Sequence, residues 1–165
     1  MNQFGTHLRK KSLGLLIAAA AVALVIAGCG GGGSGKAPSS TSASSSPTLR
    51  LAGLAPGKAL VDGQGRTLYL FEADKNGTST CNGACASIWP PATVSGTGTA
   101  GPGLTAADLG TTKRSGGESQ LTYNGHPLYR YAADGKPGDV NGQGLDQFGA
   151  KWYVLNASGA KIDDD

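Results

Sequence analysis

The side chains in this sequence best suited to chemistry are few. They are the thiols of Cys81 and Cys85, the imidazole of His126, and the oxygens of Asp134, Asp139, Asn141 and Asp146. "CNGAC" could be a redox dithiol, but its cysteines are separated by three residues rather than the two of thioredoxin-like pairs. An isolated pair outside the cytoplasm normally oxidises, so a structural disulfide that pins the turn before "ASIWPP" is the expectation. Nucleophilic catalysis would need His126 to activate a cysteine or serine. His126 directly follows the Asn124-Gly125 turn, where a histidine is usually exposed and idle, and Gly-x-Ser-x-Gly is absent. "DGKPGDVNGQGLD" sets four oxygen-bearing side chains on a glycine-bent loop, a ligand type that suits calcium. The EF-hand pattern is nevertheless broken by Gln143 and Ala150, and a polar surface loop is the plainer reading. Histidine, cysteine and methionine are too scarce for a blue-copper or zinc centre, and haem attachment through Cys-x-x-Cys-His is absent. No enzyme activity and no cofactor are expected.

These groups must be held by something, and a repeated hexamer indicates what. "GRTLYLFEAD" (65–74) aligns with "GHPLYRYAAD" (125–134), identical at Gly, Leu, Tyr, Ala and Asp. Each copy follows a strand-like run and a turn: "KALVD" with Gly63-Gln64-Gly65, and "SQLTY" with Asn124-Gly125. Asn-Gly between β-prone runs is a strong hairpin signal, because both residues tolerate positive φ. Each copy therefore reads as a hairpin whose second strand carries Tyr69, Phe71 and Asp74, or Tyr129, Tyr131 and Asp134. Period-two alternation sets Tyr69 with Phe71 on one face and Leu68 with Leu70 on the other, so that strand is expected to be buried on both sides. Arg130 and Pro127 bring the second copy nearer solvent and an edge. The two aspartates fall at strand ends and are expected to accept N–H bonds from the following turns. "KWYVLNASGAKI" adds another hairpin-like pair.

The N-terminal segment is an address. Basic residues precede "LGLLIAAAAVALVIAG", a run shorter than the ~20 apolar residues of a spanning helix, so residues 1–28 read as a signal peptide. The run ends in "IAGC", which resembles the lipobox of bacterial lipoproteins and implies a diacylglyceryl group on Cys29. Residues 29–47 continue as a Gly/Ser linker without large apolar side chains, expected to be disordered and to hold the domain about 20–25 Å from the membrane. Without Arg9, Lys10 and Lys11 the remaining Lys and Arg balance the 11 acidic residues, and no basic stripe suggests nucleic acid.

With both hexamers in view, the chain resembles the bacterial secreted-repeat lipoproteins defined by a Tyr-x-[Phe/Trp/Tyr]-x-x-Asp motif. "CNGACASIWPP", "LTYNGHPLY" and "GDVNGQG" followed by "KWYVL" extend the resemblance from about Leu49 to Asn156. It implies a surface lipoprotein and supplies no catalytic residues. The expected fold is mostly β: a single antiparallel domain over 48–162, built from two related halves of about 48–100 and 101–162. Short helical turns are expected at "GACASIW" and "TAADL", and a solvated acidic tail at 163–165. Tyr69, Phe71, Trp89, Leu128, Tyr129 and Trp152 are the expected core. The expected role is binding or structure at the cell envelope. The protein would be attached outside the membrane through Cys29, its partner a protein or glycan. An accessory in extracytoplasmic electron transfer or thiol redox, and a calcium-stabilised module, are the alternatives.

Overall fold

Turn chemistry sets much of the strand pairing in this chain, whose computed structural model describes residues 48–163. The leader at 1–28, Cys29 with the linker to residue 47, and Asp164 and Asp165 lie outside the described residues. Asn76-Gly77, Asn124-Gly125 and Phe148-Gly149 each place two successive residues at positive φ, the pattern of a type I′ turn. Around them run β1 (Leu49–Leu54), β2 (Gly57–Asp62), β3 (Tyr69–Phe71), the short helix α1 (Ala84–Ile88), β4 (Thr93–Val94) and β5 (Leu109–Lys113). The chain continues through β6 (Ser119–Tyr123), β7 (His126–Pro127), β8 (Asp146–Gln147) and β9 (Ala150–Val154). The fold is mostly β and its ladders are antiparallel, with a 3₁₀ turn at Ala106–Asp108.

The ladders form three groups: β1 with β2, the order β3-β9-β8, and β6 flanked by β4 and β5 with β7 attached. Backbone bonds stitch them together. Leu60 N–H reaches Leu155 O at 2.9 Å and Leu68 N–H reaches Leu60 O at 3.0 Å. The hexamer strands do not stay in their own hairpins, and here the structure departs from expectation. In the first copy the hairpin contributes the Val61–Thr67 bridge and the Leu68 bond, after which β3 pairs along its length with β9 of the second half. In the second copy β6 and β7 close the expected Asn-Gly hairpin. Arg130 N–H then bonds Pro90 O, and Ala132 N–H bonds Ile88 O, both in the first half. Each hexamer thus finds its main partner across the repeat boundary.

Alternation along β3 divides the core in two. Leu68 and Leu70 join Leu49, Leu60, Leu121, Leu128 and Leu155, with Tyr123 and Tyr153, in a largely aliphatic cluster. Tyr69 and Phe71 join Trp89, Tyr129, Trp152 and the cystine in an aromatic one. β3 is accordingly buried on both faces, whereas Arg130 of the second copy is half-exposed and pairs with buried Asp62 at 2.8 Å. All six expected core residues are buried.

Cys81 and Cys85 form a disulfide with 5.3 Å between their Cα atoms. The bond closes the turn entering α1, whose end delivers Trp89 to the aromatic cluster. Replacing both cysteines with serine is expected to lower unfolding free energy by about 2 kcal/mol, the loop-entropy value for so small a ring. Urea denaturation would check this, alongside a thiol titre that stays at zero for these residues until reductant is added.

Candidate functional site

The two motif copies meet at a local two-fold relation. Tyr69 N–H bonds Tyr129 O and Tyr129 N–H bonds Tyr69 O, both at 2.9 Å. From that shared bridge each phenol crosses to the other copy's aspartate. Tyr69 Oη donates to Asp134 Oδ2 at 2.7 Å, and Tyr129 Oη donates to Asp74 Oδ2 at 2.6 Å. The second carboxylate oxygen holds the chain that follows, though on residues beyond the adjoining turns that the sequence pointed to. Asp74 Oδ1 accepts from Thr80 N–H (2.7 Å) and Thr80 Oγ1 (2.6 Å). Asp134 Oδ1 accepts from Asn141 N–H (3.0 Å) and Asn141 Nδ2 (3.2 Å). All four motif side chains are buried, so these are charge-assisted bonds in a medium that screens them little.

The aromatic rings obey the same relation. Phe71 stacks on Trp152 at 4.1 Å and Tyr131 on Trp89 at 4.3 Å, while the two indoles stack on each other at 3.9 Å. Tyr69 meets Trp89 edge-on at 5.3 Å, and Tyr129 meets Trp152 edge-on at 5.1 Å. The third motif position is aromatic because it ends a four-ring column crossing both halves. Gly142 leaves room for it: a Cβ there would lie 2.7 Å from the Trp89 ring.

A relay that sequence reasoning missed supports one side. Arg114 donates to Ser79 Oγ (2.5 Å), Gln120 Oε1 (2.8 Å), Cys81 O (2.7 Å) and Asn82 Oδ1 (2.9 Å). Because Tyr129 donates to Asp74, Ser79 donates to Tyr129 Oη across 2.7 Å and itself accepts from Arg114. On the other side Gly142 N–H supplies the bond to Tyr69 Oη, at 3.3 Å. No periodicity or motif marks Arg114 or Ser79.

The other candidates are placed as follows. Asp134 is committed to the clasp, and Asp139 accepts from Lys136 N–H at 3.1 Å and pairs with the Lys136 ammonium. Asp146 lies on β8 opposite Lys151. Among the described residues no three His, Cys, Asp or Glu side chains gather as a metal site. His126 borders an open groove of about 760 Å³, with Glu72, Lys75, Asp146, Lys151 and Lys161 also on its walls. Burial lowers the His126 pKa, against the opposing charge of Asp74. A Ser-x-x-Lys spacing, Ser158 to Lys161, escaped the sequence reading. Its members are engaged elsewhere: Ser158 Oγ with Asn156 Oδ1 at 2.7 Å, Lys161 with Glu72 at 3.0 Å and Asp163 at 2.8 Å. Among the described residues no helix is long and apolar enough to cross a membrane.

The family described as a secreted repeat of unknown function matches the chain twice, over residues 55–93 and 110–156. The chain belongs to that family. Neither the curated proteins nor the solved structures contain a match.

Burial, then the bonded carboxylate, raises the pKa of both Tyr69 and Tyr129. The folded protein therefore keeps two protons that unfolded tyrosines release near pH ~10. Stability is complete below that pH and falls as pH rises above it. Tyr69→Phe and Tyr129→Phe should each flatten this alkaline slope. Each strands a buried carboxylate oxygen and should cost ~1–3 kcal/mol at pH 7. Chemical denaturation at pH 7 and across the alkaline range measures both effects.

Proposed function

We propose that this member of the secreted-repeat family is a non-catalytic binding module of the cell envelope, anchored by lipid on Cys29. Its family is a secreted one and the protein is extracytoplasmic. The observation that carries the binding reading is the reciprocal clasp. Tyr69, Tyr129, Asp74 and Asp134 spend their side-chain polar atoms on each other and on adjoining loops, and serve to hold the halves in register. Recognition then falls to the surface, where the groove beside the first hexamer offers both charge signs and an imidazole. A protein or glycan with mixed polar groups fits such a lining. Attachment through Cys29 would keep the domain among envelope partners, and the linker at 29–47 would let it turn toward them.

One observation favours a second reading, an accessory in extracytoplasmic electron transfer. The column Phe71–Trp152–Trp89–Tyr131 places four aromatic rings in continuous stacking. That reading requires a redox partner at one end of the column, and the binding reading does not.

Cys29→Ala should release the protein from the membrane fraction or halt its processing. Retention of a correctly cleaved Cys29→Ala chain would end the anchor proposal. Crosslinking of the native lipoprotein through a photoreactive group at Lys75 should capture an envelope component that Glu72→Lys displaces. Capture of a haem or flavin protein, with photo-oxidation reaching Trp89, would favour the electron-transfer reading instead.

A further inference from the structure

Three turns in this chain share one backbone and differ in one side chain. Asn76-Gly77 (φ 53 and 72) and Asn124-Gly125 (φ 46 and 78) carry the residue pair that tolerates positive φ. Phe148-Gly149 (φ 59 and 91) adopts the same form with a phenylalanine in the strained position. A bulky non-glycine residue at positive φ is a steric outlier and persists where its surroundings impose it. Burial accounts for it only in part, since Phe148 is 49% exposed. Ile88 is the other large hydrophobic side chain exposed among the described residues. The two flank one hydrogen bond: Trp89 Nε1 donates to Gln147 Oε1 at 2.8 Å, Ile88 preceding Trp89 and Phe148 following Gln147. The hairpin beneath the tip is firmly held, because Trp152 Nε1 also donates to Gln147 O at 3.1 Å.

We infer that the Phe148 tip is a membrane-interface contact, inserting its ring among the lipid headgroups of the bilayer that holds the protein. This rests on the lipid-anchored reading above. Area argues for lipid over protein. A half-exposed phenylalanine offers about 100 Å², while a specific protein interface needs roughly 800 Å² from each partner. A single aromatic ring does suffice at a bilayer to which the chain is already tied, where effective concentration is high. Reach is sufficient as well. A fully extended run of 18 residues, the number at 30–47, would span at most about 60 Å, against a domain diameter of roughly 35 Å, so any face could meet the membrane. The strained turn puts an amphiphile-seeking side chain at the point of a hairpin where Asn would be more stable.

The test uses the full lipidated protein carrying Phe148→Trp, reconstituted into phosphatidylcholine/phosphatidylglycerol vesicles with brominated acyl chains. Trp89 and Trp152 are fully buried, so the added indole reports the tip. Its emission should be quenched most by bromines near the headgroups. An unquenched indole on protein that floats with the vesicles overturns the inference while leaving the anchor intact. Protein that fails to float overturns both. Shielding of the indole in native envelopes but not in pure lipid assigns the tip to a protein partner and also overturns it. A second variant, Phe148→Asn, should melt about 4 °C or more higher. On vesicles it should let the domain tumble faster, read from the anisotropy decay of Trp89 and Trp152. An unchanged melting temperature or unchanged tumbling counts against the inference.

Discussion

Each motif tyrosine gives its hydroxyl proton to the aspartate of the other copy, and the rest of the domain is arranged to keep that exchange in place. A buried phenol or carboxylate without its partner loses hydration and gains nothing in return. Neither half can therefore complete its polar interior alone. The paired Tyr69–Tyr129 backbone bonds fix the crossing point, and the four-ring column runs across it. The same side chains supply strand packing, turn closure and the tie between halves, which is why so few residue types define the repeat.

Much of the local structure was legible in the sequence. Asn124-Gly125 announced its hairpin, the alternation in "LYLF" announced a strand buried on both sides, and the short helix and 3₁₀ turn fell where small residues suggested them. Partner choice was not legible. A hairpin signal reports which strands adjoin in sequence, but β3 takes β9 as its long partner because Trp152 must stack on Phe71. Asp74 and Asp134 were readable as acceptors for the chain that follows each strand, but Oδ1 skips the adjoining turn and bonds residues six or seven positions away. Oδ2 reaches across more than fifty residues, and no local pattern encodes such a contact.

The two halves are not copies in every respect, and the differences fall outside the clasp. Tyr129 is reached through Ser79 by Arg114, whose other bonds secure the cystine loop at Cys81 and Asn82. Tyr69 is reached by the backbone of Gly142, in a loop that must stay side-chain-free where Trp89 lies over it. Gln143 then ties that loop to β9, accepting from Val154 N–H at 2.9 Å and donating to Ile162 O at 2.7 Å. A disulfide and a guanidinium hold one side, a glycine and an amide the other. Glu72 and His126, which align with Ala132 and Arg66 of the other copy, border the groove, and Lys161 pairs with Glu72 there.

The exchanged bonds bear on ancestry. A chain holding one repeat would carry a tyrosine and an aspartate unable to satisfy each other within one molecule, and would meet its needs by pairing with a second copy about a true dyad. Fusing two such protomers would turn an oligomer's symmetry axis into the interior of a monomer, independent of concentration. Once joined, the two seats of the clasp are read by one gene but remain chemically interlocked. Drift in the tyrosine of one repeat is felt by the aspartate of the other, while the outer loops are free to specialise.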